Sequence, residues 1–147
     1  MPDIARPRTL VTGASGGLGR EVALQLAARG CAVGLADIDA TGLAETARRV
    51  EAAGAEALEI AADLTSEGAP EAAVAAVVDR WGGIDGLVNN AGYGVIEPFL
   101  DERTRRVPLG RRAEIAEVAA SVVWLLLDAP AYMTAARINM SGGLDKD

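Results

Sequence analysis

Histidine is missing from this sequence, and lysine occurs once, as Lys146 next to the end. General acid–base chemistry near neutral pH therefore falls to carboxylates, tyrosine, the thiol of Cys31 or water. Cys31 is the single cysteine, which excludes an intramolecular disulfide and fits a reducing compartment. Aromatic residues make up 3% of the chain against 50% hydrophobic residues. The core must come from Ala, Val, Leu and Ile, as in sheets covered by helices on both faces. Purely apolar runs such as Val122 to Leu127 fall far short of the roughly 20 residues that cross a bilayer. Met1 to Arg6 shows no apolar stretch of signal-peptide type. Positive charge is in deficit, 14 Lys and Arg against 21 Asp and Glu, a net charge of -7. That argues against nucleic acid or an anionic membrane as a partner, since both reward basic patches. The expectation is a soluble cytoplasmic protein that binds no metal.

At 147 residues the chain has the size of one α/β domain. Its first ninety residues alternate short apolar runs with amphipathic stretches, the pattern of βαβ units on a parallel sheet. Strands are expected at Thr9–Thr12, Ala32–Ala36 and Ala57–Ala61, with a fourth ending at Leu87–Asn89. Helices are expected at Arg20–Arg29, from Leu43 to Ala53, at Pro70–Trp81 and at Arg112–Leu127. Gly30 and Gly54 stand where helices end in left-handed backbone. Residues 93–107, with Pro98 and Arg103, Arg105 and Arg106, read as a connector between a nucleotide-binding half (1–92) and a C-terminal part (108–147). A last short strand is expected at Ala136–Met140.

The run Gly13-Ala14-Ser15-Gly16-Gly17-Leu18-Gly19 lies between the first strand and the first helix. Glycines there permit a tight turn and let the backbone approach a pyrophosphate at the helix N-terminus. Asp37, with Ile38 after it, stands past the second strand, where a carboxylate can accept both hydroxyls of an adenosine ribose. Its charge would repel a 2′-phosphate, so NAD is favoured over NADP. The alternative is that Asp37 begins a loop or caps the helix that follows. Asp63-Leu64 follows the third strand and Asn89-Asn90-Ala91-Gly92 the fourth, all at the sheet edge where open α/β sheets bind ligands.

In order and spacing, Gly13-x-x-x-Gly17-x-Gly19, Asp37, Asp63 and Asn89-Asn90-Ala91-Gly92 resemble the short-chain dehydrogenase/reductase family. So do Val107-Pro108-Leu109-Gly110-Arg111, Glu117-Val118-Ala119 and Ile138 to Gly143. The resemblance implies a Rossmann-like doubly wound parallel sheet. It implies cofactor contacts from Gly13, Ser15, Gly16, Gly17, Leu18, Gly19, Asp37, Ile38, Asp63, Leu64, Asn90, Ala91 and Gly92. Family members run to roughly 250 residues as one domain. Here the chain passes from Asp101-Glu102 almost directly to Val107-Pro108. By that resemblance, the segment with the catalytic Ser and the Tyr-x-x-x-Lys helix is absent, and Tyr93 and Tyr132 are followed four residues on by Glu97 and Ala136. A tyrosine without a nearby cation has no evident means of lowering its pKa of about 10.

The shortened fold is expected to hold about five strands, with Ala136–Met140 beside Leu87–Asn89. A homodimer is expected through the last helix and that strand. Tyr93 is a weak catalytic candidate, able to donate to a substrate carbonyl or simply to pack. Glu97, Asp101 and Glu102 read as solvated, Arg103, Arg105, Arg106, Arg111 and Arg112 as a solvated basic loop or an anion site, Cys31 as a buried hydrophobe, and Tyr132 as a packing residue. Two departures from the family pattern stand out: Thr134-Ala135-Ala136, with alanine where glycine is usual, and Gly86, where a branched apolar residue is usual. The sequence favours a non-redox enzyme acting on a small molecule by cyclisation, isomerisation or dehydration. The alternatives are a non-catalytic NAD-binding or partner-binding module and a residual NAD-dependent oxidoreductase.

Overall fold

The computed structural model describes residues 6–92 and 104–144. Four strands form one parallel sheet: β1 (Arg8–Thr12), β2 (Ala32–Asp37), β3 (Ala57–Ala61) and β4 (Gly86–Val88), in the order β3-β2-β1-β4. The helices α1 (Gly17–Ala28), α2 (Ala40–Ala52) and α3 (Ala69–Trp81) cross between strands, and α4 (Ile115–Leu127) lies in the C-terminal part. The order reverses at β1, with β2 registered on one side (Val11 opposite Leu35) and β4 on the other (Val11 opposite Val88). That reversal is the switch point at which doubly wound sheets bind ligands.

Alternation along β1 assigns the faces. Val11 points into a core with Val33, Leu35, Val22 and Leu26 of α1, Leu43 and Val50 of α2, and Val123 of α4. Leu10 points the other way, into a smaller core with Ala36 and with Ala73 and Val77 of α3. The sheet is thus sandwiched, with α1, α2 and α4 on one face and α3 on the other. Gly34 lets α3 come close: a Cβ there would lie 2.7 Å from Val77 Cγ2. Gly30 (φ 79°) and Gly54 (φ 84°) close α1 and α2 in left-handed backbone, as the sequence reading has it. Cys31 is buried at the start of β2, and burial pushes its thiol pKa up. It stays protonated and serves as packing.

The expected fifth strand does not form. Among the described residues the sheet has four strands, and Ala136–Met140 takes no strand structure. β4 offers only three residues as a template, too short a ladder to offset an ordering cost of about 1–2 kcal/mol per residue. The segment instead returns to the 107–110 turn, where the Leu109 N–H donates to the Gly142 carbonyl at 3.2 Å. On that path Ala135 adopts φ 52°, a backbone for which the family's glycine is suited and alanine is not. Tyr132 is 99% exposed, so it does not pack as the sequence suggests.

Gly86 has its reason in α4. A Cβ there would lie 2.8 Å from Leu126 Cδ1 and 3.0 Å from Leu126 Cγ, so the missing side chain makes room for the helix against β4. The helix itself begins at Ile115 rather than Arg112. The Glu117 carboxylate accepts from the Glu114 N–H at 2.8 Å and from Arg111 Nη1 and Nη2 at 2.6 and 2.7 Å. These bonds fix the first turn and pair Arg111, still exposed, with a carboxylate. Residues 104–106, assigned to the connector, are helical. Tyr93, Glu97, Asp101, Glu102 and Arg103 lie outside the described residues.

Candidate functional site

At the C-terminal edge of the sheet the loop 13–16 joins β1 to α1. Gly16 stands at the N-cap of α1, and no side chain caps that end. The unpaired N–H groups and the helix dipole favour an anion there. By contrast α2 is closed by Asp39, whose Oδ1 accepts from the N–H groups of Thr41 and Gly42 at 3.1 Å each.

The loop is folded tightly on itself. A Cβ at Gly19 would stand 2.0 Å from the Gly13 carbonyl oxygen and 2.8 Å from Asn90 Nδ2, so only glycine fits between loop and helix. Gly16 and Gly17 are different: a Cβ at either would meet nothing within 4 Å. That side of the loop is open to a ligand.

Thr12 locks the floor of the site. Its hydroxyl accepts from the N–H groups of Asn90 at 3.0 Å and Ala91 at 2.9 Å, and lies 3.3 Å from the Val88 carbonyl. Asn90 Nδ2 donates to the carbonyls of Thr12 at 3.1 Å and Gly13 at 3.3 Å. The ends of β1 and β4 are stitched together in this way, and Ala91 and Gly92 are carried to the cleft. The sequence reading placed Asn90 in the site but gave Thr12 no role. A threonine at the strand end, directly before the glycine run, is the local signal for it.

Asp37, at the end of β2, is set by backbone donors. Its Oδ2 accepts from the Ser15 N–H and its Oδ1 from the Asp39 N–H, each at 3.1 Å. Partial burial pushes its carboxyl pKa up, but the N–H groups of Asp39, Ser15 and Ile38 outweigh this, and the pKa lies below the usual carboxylate value. Asp37 is therefore ionised at neutral pH. Helix capping falls to Asp39 instead, while the Asp39 N–H bond leaves Asp37 also starting the loop. Asp63 is held as an anion too, its pKa lowered by the Thr65 hydroxyl at 2.7 Å and the Thr65 N–H at 2.9 Å.

Between these carboxylates lies a cavity of about 380 Å³ lined by Gly13, Asp37, Ile38, Ala62, Asp63, Leu64, Thr65, Ala91 and Gly92. That volume falls within the roughly 300–1,000 Å³ usual for ligand pockets. Seven of the thirteen sequence-assigned residues line it, and Ser15 joins them through its bond to Asp37. Gly16, Gly17, Leu18 and Gly19 stand at the adjoining helix start, and Asn90 beneath the loop. Ile38 is 71% exposed, an apolar rim beside the carboxylate. Among the described residues no group of three His, Cys, Asp or Glu side chains is arranged to hold a metal, and no helix is long and apolar enough to cross a membrane.

The family model for short chain dehydrogenases matches residues 8–109. The chain belongs to the short-chain dehydrogenase/reductase family. Levodione reductase of Leifsonia aquatica is 46% identical over 85 residues, covering 56% of this chain and 32% of that protein. The 2-(R)-hydroxypropyl-CoM dehydrogenase of Xanthobacter autotrophicus is 46% identical over 84 residues, covering 56% and 34%. The chain thus spans about a third of the length of these curated relatives. Among solved structures, NAD+-bound xylitol dehydrogenase superposes with a TM-score of 0.59 at 36% identity, over 82% of this chain and 47% of that one. A metagenomic short-chain oxidoreductase in complex with NADP gives 0.57 at 36% identity, over 63% and 45%. The F189W actinorhodin polyketide ketoreductase gives 0.83 at 23% identity, over 95% and 97%, a likeness of fold alone. These relatives are dehydrogenases and reductases, which supports an oxidoreductase kind. They lend no support to the non-redox conversion favoured by the sequence. Both cofactors occur among them, so they leave the NAD preference to this chain's own residues.

Proposed function

We propose that this chain is the dinucleotide-binding unit of a dehydrogenase/reductase-type oxidoreductase and binds NAD in preference to NADP. The observation that carries the reading is the ionised Asp37 carboxylate, held at the rim of the cavity beside the uncapped start of α1. The residues fit such a cofactor. Asp37 would accept the adenosine ribose hydroxyls, Asp63 and Leu64 would border the adenine, and Gly13 to Gly19 would hold the diphosphate. Gly16, Gly17 and the cavity leave the space open. A 2′-phosphate in place of the ribose hydroxyl would meet the Asp37 charge in a partly desolvated setting, where repulsion exceeds its value in water.

Bound nicotinamide would supply hydride chemistry. The chain's own residues supply binding and orientation, and little proton transfer. Without histidine, and with lysine only at 146, no Tyr-x-x-x-Lys pair exists to move a proton. General acid–base help typically contributes about 10²–10⁴-fold, so the proposal expects cofactor binding to exceed turnover. Calorimetric titration with NADH and NADPH tests it: NADH binds more tightly, and Asp37→Ser narrows the difference. Equal affinity for both in the unaltered protein sinks the NAD preference, and no binding of either to folded protein sinks the reading.

A second copy is the proposed partner. Trp124 and Leu125 expose apolar surface near the end of α4, and exposed apolar patches mark association surfaces. Trp124→Glu should convert a dimer to monomer in sedimentation equilibrium. A monomer in the unaltered protein at micromolar concentration contradicts the pairing.

A further inference from the structure

Arg20, the residue directly after the glycine loop, turns its side chain back beneath it. Nη2 donates to the Ser15 carbonyl and to the Gly42 carbonyl at 3.3 Å. Nε donates to the Thr46 hydroxyl at 2.9 Å. Thr46 is fully buried, and its hydroxyl lies 2.8 Å from the Ala14 carbonyl and 3.0 Å from that of Gly42. The single hydroxyl proton goes to one of those carbonyls while a lone pair accepts from Arg20. Arg20 thus ties the Ser15 carbonyl to the first turns of α2, and the Ala14 carbonyl lies within hydrogen-bond reach of the same Thr46 hydroxyl.

There is no slack in this contact. A Cβ at Gly42 would lie 2.7 Å from both the Cβ and the carbonyl oxygen of Ser15. On its other side Ser15 donates its N–H to Asp37 Oδ2 at 3.1 Å. The residue is gripped at both ends, by Asp37 at its N–H and by Arg20 at its carbonyl.

The charge matters as well as the geometry. All three acceptors of Arg20 are neutral oxygens, whereas Arg8, Arg29, Arg49 and Arg111 each face a carboxylate at 2.6–2.7 Å. The loop Gly13–Gly19 contains no cation of its own. We propose that Arg20 is a positioning residue for the dinucleotide: it turns the Ser15 carbonyl toward α2, leaving the N–H groups from Gly16 onward to face the ligand, and lends the loop the positive charge that a diphosphate requires. The proposal rests on the reading that this loop holds a dinucleotide. A carbonyl turned instead toward the cleft would present a partial negative charge to an anion, so fixing it outward is part of building the site.

NADH titrations of the unaltered protein and of the Arg20→Met, Arg20→Lys and Thr46→Val variants, at low and high salt, test this. Adenosine, which lacks the diphosphate, is titrated by NMR alongside. Arg20→Met should weaken NADH about tenfold, the order lost with one charge-assisted contact, and flatten the salt dependence while adenosine is unaffected. Arg20→Lys should restore the salt dependence but only part of the affinity, because an ammonium lacks the planar fork. Thr46→Val should weaken NADH without changing the salt dependence, and with Arg20→Lys it carries the test if Arg20→Met does not fold. Equal NADH affinity in the unaltered and Arg20→Met proteins overturns the proposal, as does equal weakening of NADH and adenosine. Failure of the unaltered protein to bind NADH overturns the cofactor reading beneath it.

Discussion

Alanine at Gly19 and alanine at Gly16 are the same chemical change three residues apart, and the structure gives them opposite outcomes. At Gly19 the added methyl would sit 2.0 Å from the Gly13 carbonyl oxygen and 2.7 Å from its carbon. Both are backbone atoms in a loop already tied to Asn90, so the loop must move by more than an ångström. Overpacking of that kind costs about 1–3 kcal/mol. Weakening the bonds from Asn90 Nδ2 to the Thr12 and Gly13 carbonyls adds about 1 kcal/mol. Against this, Ala in place of Gly within a helix returns close to 1 kcal/mol. The net expectation is a loss of about 2 kcal/mol, read as a urea midpoint lower by roughly 1 M at an m-value of about 2 kcal/mol/M. At Gly16 the methyl meets nothing within 4 Å and the backbone is extended, with φ -171°. Gly16→Ala should leave the midpoint unchanged or raise it slightly by restricting the unfolded chain. NADH titration of both variants completes the comparison: Gly19→Ala displaces the loop and loses affinity even where the protein remains folded. A Gly19→Ala protein with the unaltered midpoint and affinity would refute the account of how loop and helix meet.

Other outcomes follow from the same contacts. Leu26→Ala removes a fully buried side chain between α1 and the sheet and should cost about 2–5 kcal/mol in denaturant unfolding. Ala135→Gly relieves the φ of 52° and should raise stability by up to about 1 kcal/mol once the glycine's extra unfolded-state freedom is subtracted; a lower melting temperature contradicts the strain. The Arg111 guanidinium holds the Glu117 carboxyl down at about 2. Because the folded value is depressed, the contribution of Glu117 is complete above its unfolded pKa of about 4.3 and is lost as pH falls toward about 2. Glu117→Gln should flatten the stability profile in that acid window and nowhere above it, and an unchanged profile speaks against the pair.

Local signals carried most of the architecture. Apolar runs bounded by glycine and aspartate placed β1 to β3 within a residue or so, because strand period and turn chemistry are written in adjacent positions. The glycine loop, Asp37, Asp63 and Asn90 were legible for the same reason: each follows a strand end. α1 starts three residues before the expected Arg20, since Gly17 to Gly19 offer no apolar period although they are helical. What depends on distant partners was not legible. The missing fifth strand turns on how little template β4 offers. Gly86 acquires its meaning only from Leu126 of α4. Arg20 and Thr46 look like ordinary helix residues until α2 folds against the loop.

The most direct test of the central claim, that the loop and Asp37 form a working dinucleotide site, is an NADH titration of isotopically labelled protein followed by amide resonances. Saturable shifts at Ser15 to Gly19, Ile38 and Ala91 to Gly92, with the α4 residues unmoved and the response abolished by Gly19→Ala, are the predicted result. A folded protein whose loop amides do not respond to millimolar NADH would contradict it.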